Sequence, residues 1–212
     1  MNPININRRA LSELVWNQFE YRTDGLSSEL LEKLESLRKQ ADYNTGSLSL
    51  RDIMDLQRIV QHFQPFVVAE IGTFIGRSTA AMASMMAGGF IHTCDISNDI
   101  ELPELNPDVQ VTQYQKMTSR QMFDTLLGHK IKVDLFYIDG RLSVEDLPLV
   151  QKLMHDRTVF VLDDFEGVEK GVANAMLLLQ AFKSAFYVLV YPRRDGKTAI
   201  LLPRTLLEFT AQ

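Results

Sequence analysis

The sequence predicts an α/β protein: a doubly wound, mostly parallel sheet of seven strands that closes in an antiparallel hairpin, preceded by helices. Three observations predict it. From Phe66 onward, short apolar runs alternate with helical periodicity. Runs such as Phe66-Val67-Val68 and Val159-Phe160-Val161-Leu162 are nearly all apolar, as strands buried between two helical layers must be. Near the end, Asp195-Gly196 stands between two strand patterns, which signals a hairpin where a dinucleotide fold would continue its strand–helix units.

The first third reads as helical. Leu11, Leu14, Val15 and Phe19 share one face of a first helix, and Leu30, Leu31, Leu34 and Leu37 share one face of a second, capped by Ser27 or Ser28. A polar loop follows at residues 42–47. Ser49 then caps a third helix bearing Ile53, Met54, Ile59, Val60 and Phe63, and Pro65 stops it. Residues 1–48 are expected to form a helical cap, against the sheet edge or over a substrate pocket. Residues 49–212 form the main domain, the two making one compact unit. Strands are expected at 66–71, 90–95, 109–114, 133–138 and 158–162, then 185–191 and 197–202. Helices are expected at 76–87, 119–127, 144–154 and 168–184. Pro103 and Pro107 leave little room for a crossover helix between the second and third strands.

The chemistry begins at Glu70-Ile71-Gly72-Thr73-Phe74-Ile75-Gly76-Arg77-Ser78, a strand end, a glycine-punctuated turn and a helix start. Such a turn brings bare backbone and a helix N-terminus against an anionic group. Ser78 offers a hydroxyl to a carboxylate, and Glu70 accepts from an ammonium. A methionine moiety has both groups. A pyrophosphate would be repelled by Glu70, and the three-glycine dinucleotide fingerprint is absent. This favours S-adenosylmethionine over a dinucleotide. Asp95 ends the next strand, where one carboxylate can hold both hydroxyls of a ribose, and Ile96 can pack on an adenine.

Two further strands end in acids: Asp139, then the pair Asp163-Asp164. On neighbouring parallel strands all three would meet at the C-terminal edge, where open α/β sheets bind ligands. Clustered carboxylates without histidine or cysteine suit Mg2+ or another divalent cation. The plainer alternative is that Asp163-Asp164 caps a helix and Asp139 sits in a turn.

A formal net charge of -5 gives no broad attraction for nucleic acid or anionic lipid. No apolar run reaches membrane-spanning length, and no apolar signal core opens the chain. A soluble, cytoplasmic protein is expected. The single cysteine, Cys94, reads as a small buried residue in a central strand. His62, His92, His129 and His155 have no metal-ligand spacing, Met82, Met85 and Met86 read as the inner face of a helix, and Arg193-Arg194 reads as a solvated hairpin tip.

From Asn44-Thr45-Gly46 to the final hairpin the chain resembles the class I S-adenosylmethionine-dependent methyltransferases, most of all the catechol and caffeoyl-CoA type small-molecule O-methyltransferases. The resemblance implies a Rossmann-like seven-stranded sheet with a C-terminal antiparallel hairpin. It implies cofactor contacts at Asn44, Thr45 and Gly46, at Glu70, Gly72, Thr73, Phe74, Gly76 and Ser78, at Asp95 and Ile96, at Thr118 and Ser119 beside the adenine, and at Asp139. It implies Asp139, Asp163 and Asp164 as metal ligands, with aspartate in the last place where asparagine is frequent. The base departs from the pattern. Gly140-Arg141-Leu142-Ser143 follows Asp139, with neither the lysine nor the histidine that such enzymes place there. Asp139 and Arg141 are the candidate catalytic residues.

The expected activity is methyl transfer to an oxygen of a small-molecule acceptor, with a homodimer compatible with the amphipathic N-terminal helices. Two rival readings are a methyltransferase-like binding or scaffold protein without turnover, and a nicotinamide-dependent oxidoreductase. The acceptor's identity, and whether its reacting atom is oxygen or nitrogen, are not encoded in any motif.

Overall fold

The computed structural model describes residues 8–19, 32, 35–36, 39, 48–97, 102, 105–166, 168–185, 187–194 and 196–207. Their order is α1 (Arg8–Gln18), α2 (Leu50–Phe63), β1 (Val67–Ile71), α3 (Arg77–Met85), β2 (Gly89–Asp95), β3 (Val109–Gln115), α4 (Ser119–Gly128), β4 (Leu135–Ile138), α5 (Leu147–Leu153), β5 (Val159–Leu162), α6 (Gly171–Ala181), β6 (Tyr187–Val190) and β7 (Ala199–Pro203). Leu30, Leu31, Leu34 and Leu37 of the second expected helix lie outside the described residues, and so do Asn44, Thr45 and Gly46.

The seven strands form one sheet in the order β3-β2-β1-β4-β5-β7-β6. β1 to β5 are parallel, and β7 runs antiparallel to both β5 and β6. The hairpin is as expected, but its second strand enters the sheet beside β5 and leaves β6 at the edge. Between Asp95 and Val109 there is no helix among the described residues.

Side chains alternate between two cores. In β4, Leu135 and Tyr137 join the core under α1, α2 and α3, while Phe136 and Ile138 join the core under α4, α5 and α6. In β5, Val159 and Val161 go one way, Phe160 and Leu162 the other. This period of two, apolar on both faces, is why these strands are central. Phe136 stacks on Phe160 with ring centroids 5.1 Å apart, and Phe123 meets Phe136 edge-on at 5.9 Å.

The buried face of α1 differs from the expected one. Leu14 is 62% exposed, and Ser12, Val15, Trp16 and Phe19 turn inward. The reason is the hairpin loop. Trp16 Nε1 donates to the Tyr191 carbonyl (2.8 Å), and the Tyr191 amide donates to Ser12 Oγ (2.9 Å). Arg193 is accordingly no solvated tip. Its guanidinium lies over the Trp16 ring, donates to the Trp16 carbonyl at 2.9 Å and pairs with the buried Asp55 at 3.6 Å. α2 begins as expected, with Ser49 Oγ accepting from the Asp52 amide at 3.2 Å. Ser49→Ala is expected to cost about 1 kcal/mol, measured by urea unfolding.

Candidate active site

β1 delivers Glu70 to the C-terminal edge of the sheet, and the chain then turns into α3. Gly72 and Thr73 amides both donate to the Cys94 carbonyl, at 2.9 and 3.3 Å, so the turn sits across the ends of β1 and β2. Gly72 (φ +96°) and Phe74 (φ +44°) lie in the left-handed region. Glycine enters it freely. A bulky residue held there costs roughly 1–3 kcal/mol, and such strain gathers at ligand sites. A β-carbon on Gly72 would stand 3.3 Å from the Asp139 carbonyl carbon and from the Gly140 nitrogen, so the turn lies directly against the end of β4.

Glu70 is wholly buried beneath this turn. Ser78 and Thr79, in the first turn of α3, donate their hydroxyls to its two carboxylate oxygens. Burial pushes the Glu70 carboxyl up to about 7, against the hydrogen bonds of Ser78, Thr79 and Thr93, which favour the charged form. Glu70 and Ser78, read from sequence as separate ligand contacts, are bonded to each other.

Asp95 ends β2. Its Oδ2 accepts from the Phe74 amide at 2.7 Å, and its Oδ1 accepts from the amide and hydroxyl of Ser97 at 2.8 and 2.6 Å. The acid is thus fixed beside the turn, and Ile96 next to it is 76% exposed. The Met117 amide donates to the Asp95 carbonyl at 3.1 Å, which draws Thr118 and Ser119 to the same edge. Thr118 caps α4 in a box with Gln121, and Ser119 Oγ donates to Asp146 at 3.1 Å.

The register Ile138↔Leu162 sets Asp139 and Asp163 side by side. One oxygen from each of Asp139, Asp163 and Asp164 lies within 4.8 Å of the others. Burial raises the Asp139 carboxyl to about 7, with Lys170 opposing and Asp164 adding to the rise. Burial, then the charges of Asp139 and Asp164, push Asp163 well above the ordinary range. Asp163 is 4% exposed, and its Oδ1 is buried with no hydrogen-bond partner among the described residues. The alternative of a helix cap is overturned. α6 starts at Gly171, seven residues after Asp164, and its N-cap residue is Lys170, whose side chain makes no capping hydrogen bond.

Lys170 was not singled out from sequence. Its Nζ donates to Asp139 Oδ1 at 3.3 Å and to Asp164 Oδ2 at 2.9 Å. Burial works against its charge, but the two carboxylates outweigh burial and hold its pKa above the ordinary value. Its signal was weak, because Lys170 falls inside the helix expected over 168–184. A lysine in a first helical turn opposes the helix dipole, and that mismatch was the clue. Arg141 stands outside the cluster, exposed and paired at 3.2 Å with the exposed Glu169.

The dispersed histidines are elsewhere. His155 Nε2 lies 2.9 Å from Asp134 Oδ1, and His62 packs against Phe19 and Phe63. Cys94 is buried, and burial pushes its thiol up to about 12. Among the described residues no helix is long and apolar enough to cross a membrane.

No protein-family model matches the chain, and no curated protein matches it. Solved structures do. A methyltransferase from Geobacter sulfurreducens superposes with a TM-score of 0.58 at 13% identity, covering 96% of this chain and 98% of its own. An O-methyltransferase from Bacillus cereus, in complex with S-adenosylhomocysteine, gives 0.56 at 17% identity over 91% of this chain and 97% of its own. The O-methyltransferase TomG from Streptomyces achromogenes, involved in tomaymycin synthesis and in complex with S-adenosylmethionine, gives 0.54 at 16% identity over 84% and 91%. The chain therefore has the Rossmann-like methyltransferase fold, with its mostly parallel seven-stranded sheet and antiparallel C-terminal strands.

Proposed function

We propose that the protein is an S-adenosylmethionine-dependent methyltransferase acting on an oxygen of a small molecule, with a divalent cation held by Asp139, Asp163 and Asp164. One observation carries the reading: the contact of the Gly72 turn with the Asp139–Gly140 backbone, which brings the glycine turn beside the acid cluster. The solved structures of the same fold that contain S-adenosylmethionine or S-adenosylhomocysteine support it.

The residues present fit both groups. The turn from Gly72 to Gly76 and the start of α3 receive the methionine end. Asp95 takes the ribose diol on the lone pairs its present donors leave, since one carboxylate offers about four acceptor sites. Ile96, Thr118 and Ser119 border the adenine. S-adenosylmethionine supplies the methyl on a sulfonium leaving group. The acceptor oxygen forms the new carbon–oxygen bond, the carbon–sulfur bond breaks, and the acceptor proton leaves to solvent. The protein contributes alignment of donor and acceptor. The all-oxygen donor set and the orphaned Asp163 Oδ1 suit a hard cation. Asp139, Asp163 and Asp164 would hold such a cation, which would supply positive charge that favours loss of the acceptor proton.

Formation of S-adenosylhomocysteine from acceptors with adjacent hydroxyls, with and without a chelator, tests the reaction. Turnover untouched by chelator removes the cation from the reading. No turnover across the panel despite cofactor binding leaves a binding protein, and displacement of the cofactor by NAD(H) leaves an oxidoreductase. Asp95→Ala is expected to weaken cofactor binding about ten- to a hundredfold by calorimetry, as lost charge-assisted hydrogen bonds do. Unchanged affinity ends the ribose assignment.

A further inference from the structure

The acid cluster already has a cation of the chain's own. The backbone that carries it is fixed in place. A β-carbon on Gly171 would stand 2.4 Å from the Asp163 carbonyl oxygen and 2.9 Å from Phe165 backbone atoms. Glycine therefore lets α6 begin hard against the end of β5. One turn on, buried Asn174 donates to the Gly140 carbonyl at 2.9 Å and accepts from the Leu142 amide at 3.0 Å. Those two bonds fasten α6 to the loop that follows Asp139. Lys170 directly precedes Gly171, so its ammonium is delivered to Asp139 and Asp164.

That ammonium leaves the cluster incompletely matched. It reaches two of the three carboxylates, while Asp163, the most buried, keeps an oxygen without a partner. Its side chain is 34% exposed, so it has a route to solvent that Asp163 lacks. A divalent ion seated among the same oxygens would face the ammonium across a few ångströms, and like charges so close do not share one set of ligands.

We propose that Lys170 is a displaceable internal cation: it neutralises the cluster in the metal-free protein, and its ammonium must swing out before a divalent ion binds. This rests on the metal half of the proposed function. Its consequence is a trade. Lys170 stabilises the metal-free site and lowers its affinity for the ion, so a higher free metal concentration is needed to fill it.

The test is calorimetric titration of the full chain with Mg2+ and Mn2+, without cofactor or acceptor, together with melting curves. Lys170→Met is expected to bind at least tenfold more tightly than the wild type, to melt lower without metal and to recover with it. Lys197→Met is the control for a general loss of charge, because Lys197 pairs directly with Glu166 and Asp164 acts on it only as a lesser, more distant charge. Its affinity is expected to stay within threefold of the wild type. Equal affinity in the wild type and Lys170→Met overturns the displacement and leaves the metal reading standing. Binding by Lys170→Met alone supports the internal cation and removes the metal from the natural reaction. Binding by neither overturns both. A tenfold gain in Lys197→Met as well overturns direct occupancy. If Lys170→Met does not fold, Lys170→Arg decides. Its forked guanidinium grips carboxylates harder, so binding weakened threefold or more supports the proposal, and unchanged or tighter binding overturns it.

Discussion

Asp163→Asn is expected to lower methyl transfer by about a hundredfold to a thousandfold while the protein becomes no less stable. The loss follows from the role of the charge. A cation at the reacting oxygen is worth several kcal/mol of barrier, each 1.4 kcal/mol being about tenfold in rate. Asparagine keeps the shape and one oxygen but gives up the charge that, on the proposed function, would hold the ion. The stability follows from the metal-free geometry. Asp163 is 4% exposed, has an unpartnered oxygen and stands among two like charges. Neutralising it relieves desolvation and repulsion together. A merely structural aspartate would behave oppositely, losing stability along with any activity. The measurements are S-adenosylhomocysteine formation at saturating cofactor, cofactor affinity by calorimetry, and urea unfolding without metal. Cofactor affinity is expected to hold, because Asp163 ends β5, one strand beyond the β4 end that the Gly72 turn touches. Full activity in Asp163→Asn would exclude a cation at this place.

The legible parts of the fold were those set by short-range patterning. The apolar runs of β1, β4 and β5 had to be central strands, because each is buried on both faces. Once they are parallel neighbours, Asp139 and Asp163 must meet at one edge, so the cluster was legible too. What the sequence hid was decided by contacts distant along the chain. The insertion of β7 between β5 and β6 cannot be read from the hairpin alone, since either strand could pair with β5. Arg193 reads as a solvated turn residue until Trp16, 177 residues away, is found beneath it. Trp16 in turn fixes the buried face of α1, which is why Leu14 faces solvent. Lys170 was hidden by a helix boundary. Periodicity begins at Val168, but the close approach at Gly171 starts α6 three residues later and leaves the lysine over the acids. A lysine therefore reaches the acids from the loop after Asp163 and Asp164 rather than from the segment after Asp139.

Glu70→Gln is expected to remove a pH dependence of stability. The Glu70 carboxyl, ordinarily at 4.5, is raised to about 7 in the folded protein, chiefly by burial. A raised carboxyl favours folding while it keeps its proton. Its contribution is complete below the unfolded value and is lost as pH rises through the folded one. Between pH 4.5 and about 7 the folded state therefore gives up stability, corresponding to about 3 kcal/mol for a displacement of that size. Asp139 and Asp163 are raised in the same direction, so the wild type keeps some slope from other groups. The quantity to compare is the difference between Glu70→Gln and wild type at pH 5 and at pH 8. Glutamine accepts from Ser78 or Thr79 as the acid does and has no charge to desolvate. Urea unfolding should show the two proteins close together at pH 5 and the variant more stable by about 2–3 kcal/mol at pH 8. A constant difference across that range would mean that the carboxylate is ionised throughout. The hydroxyls of Ser78, Thr79 and Thr93 would then outweigh burial, and a permanent negative charge would sit beneath the cofactor's positively charged end.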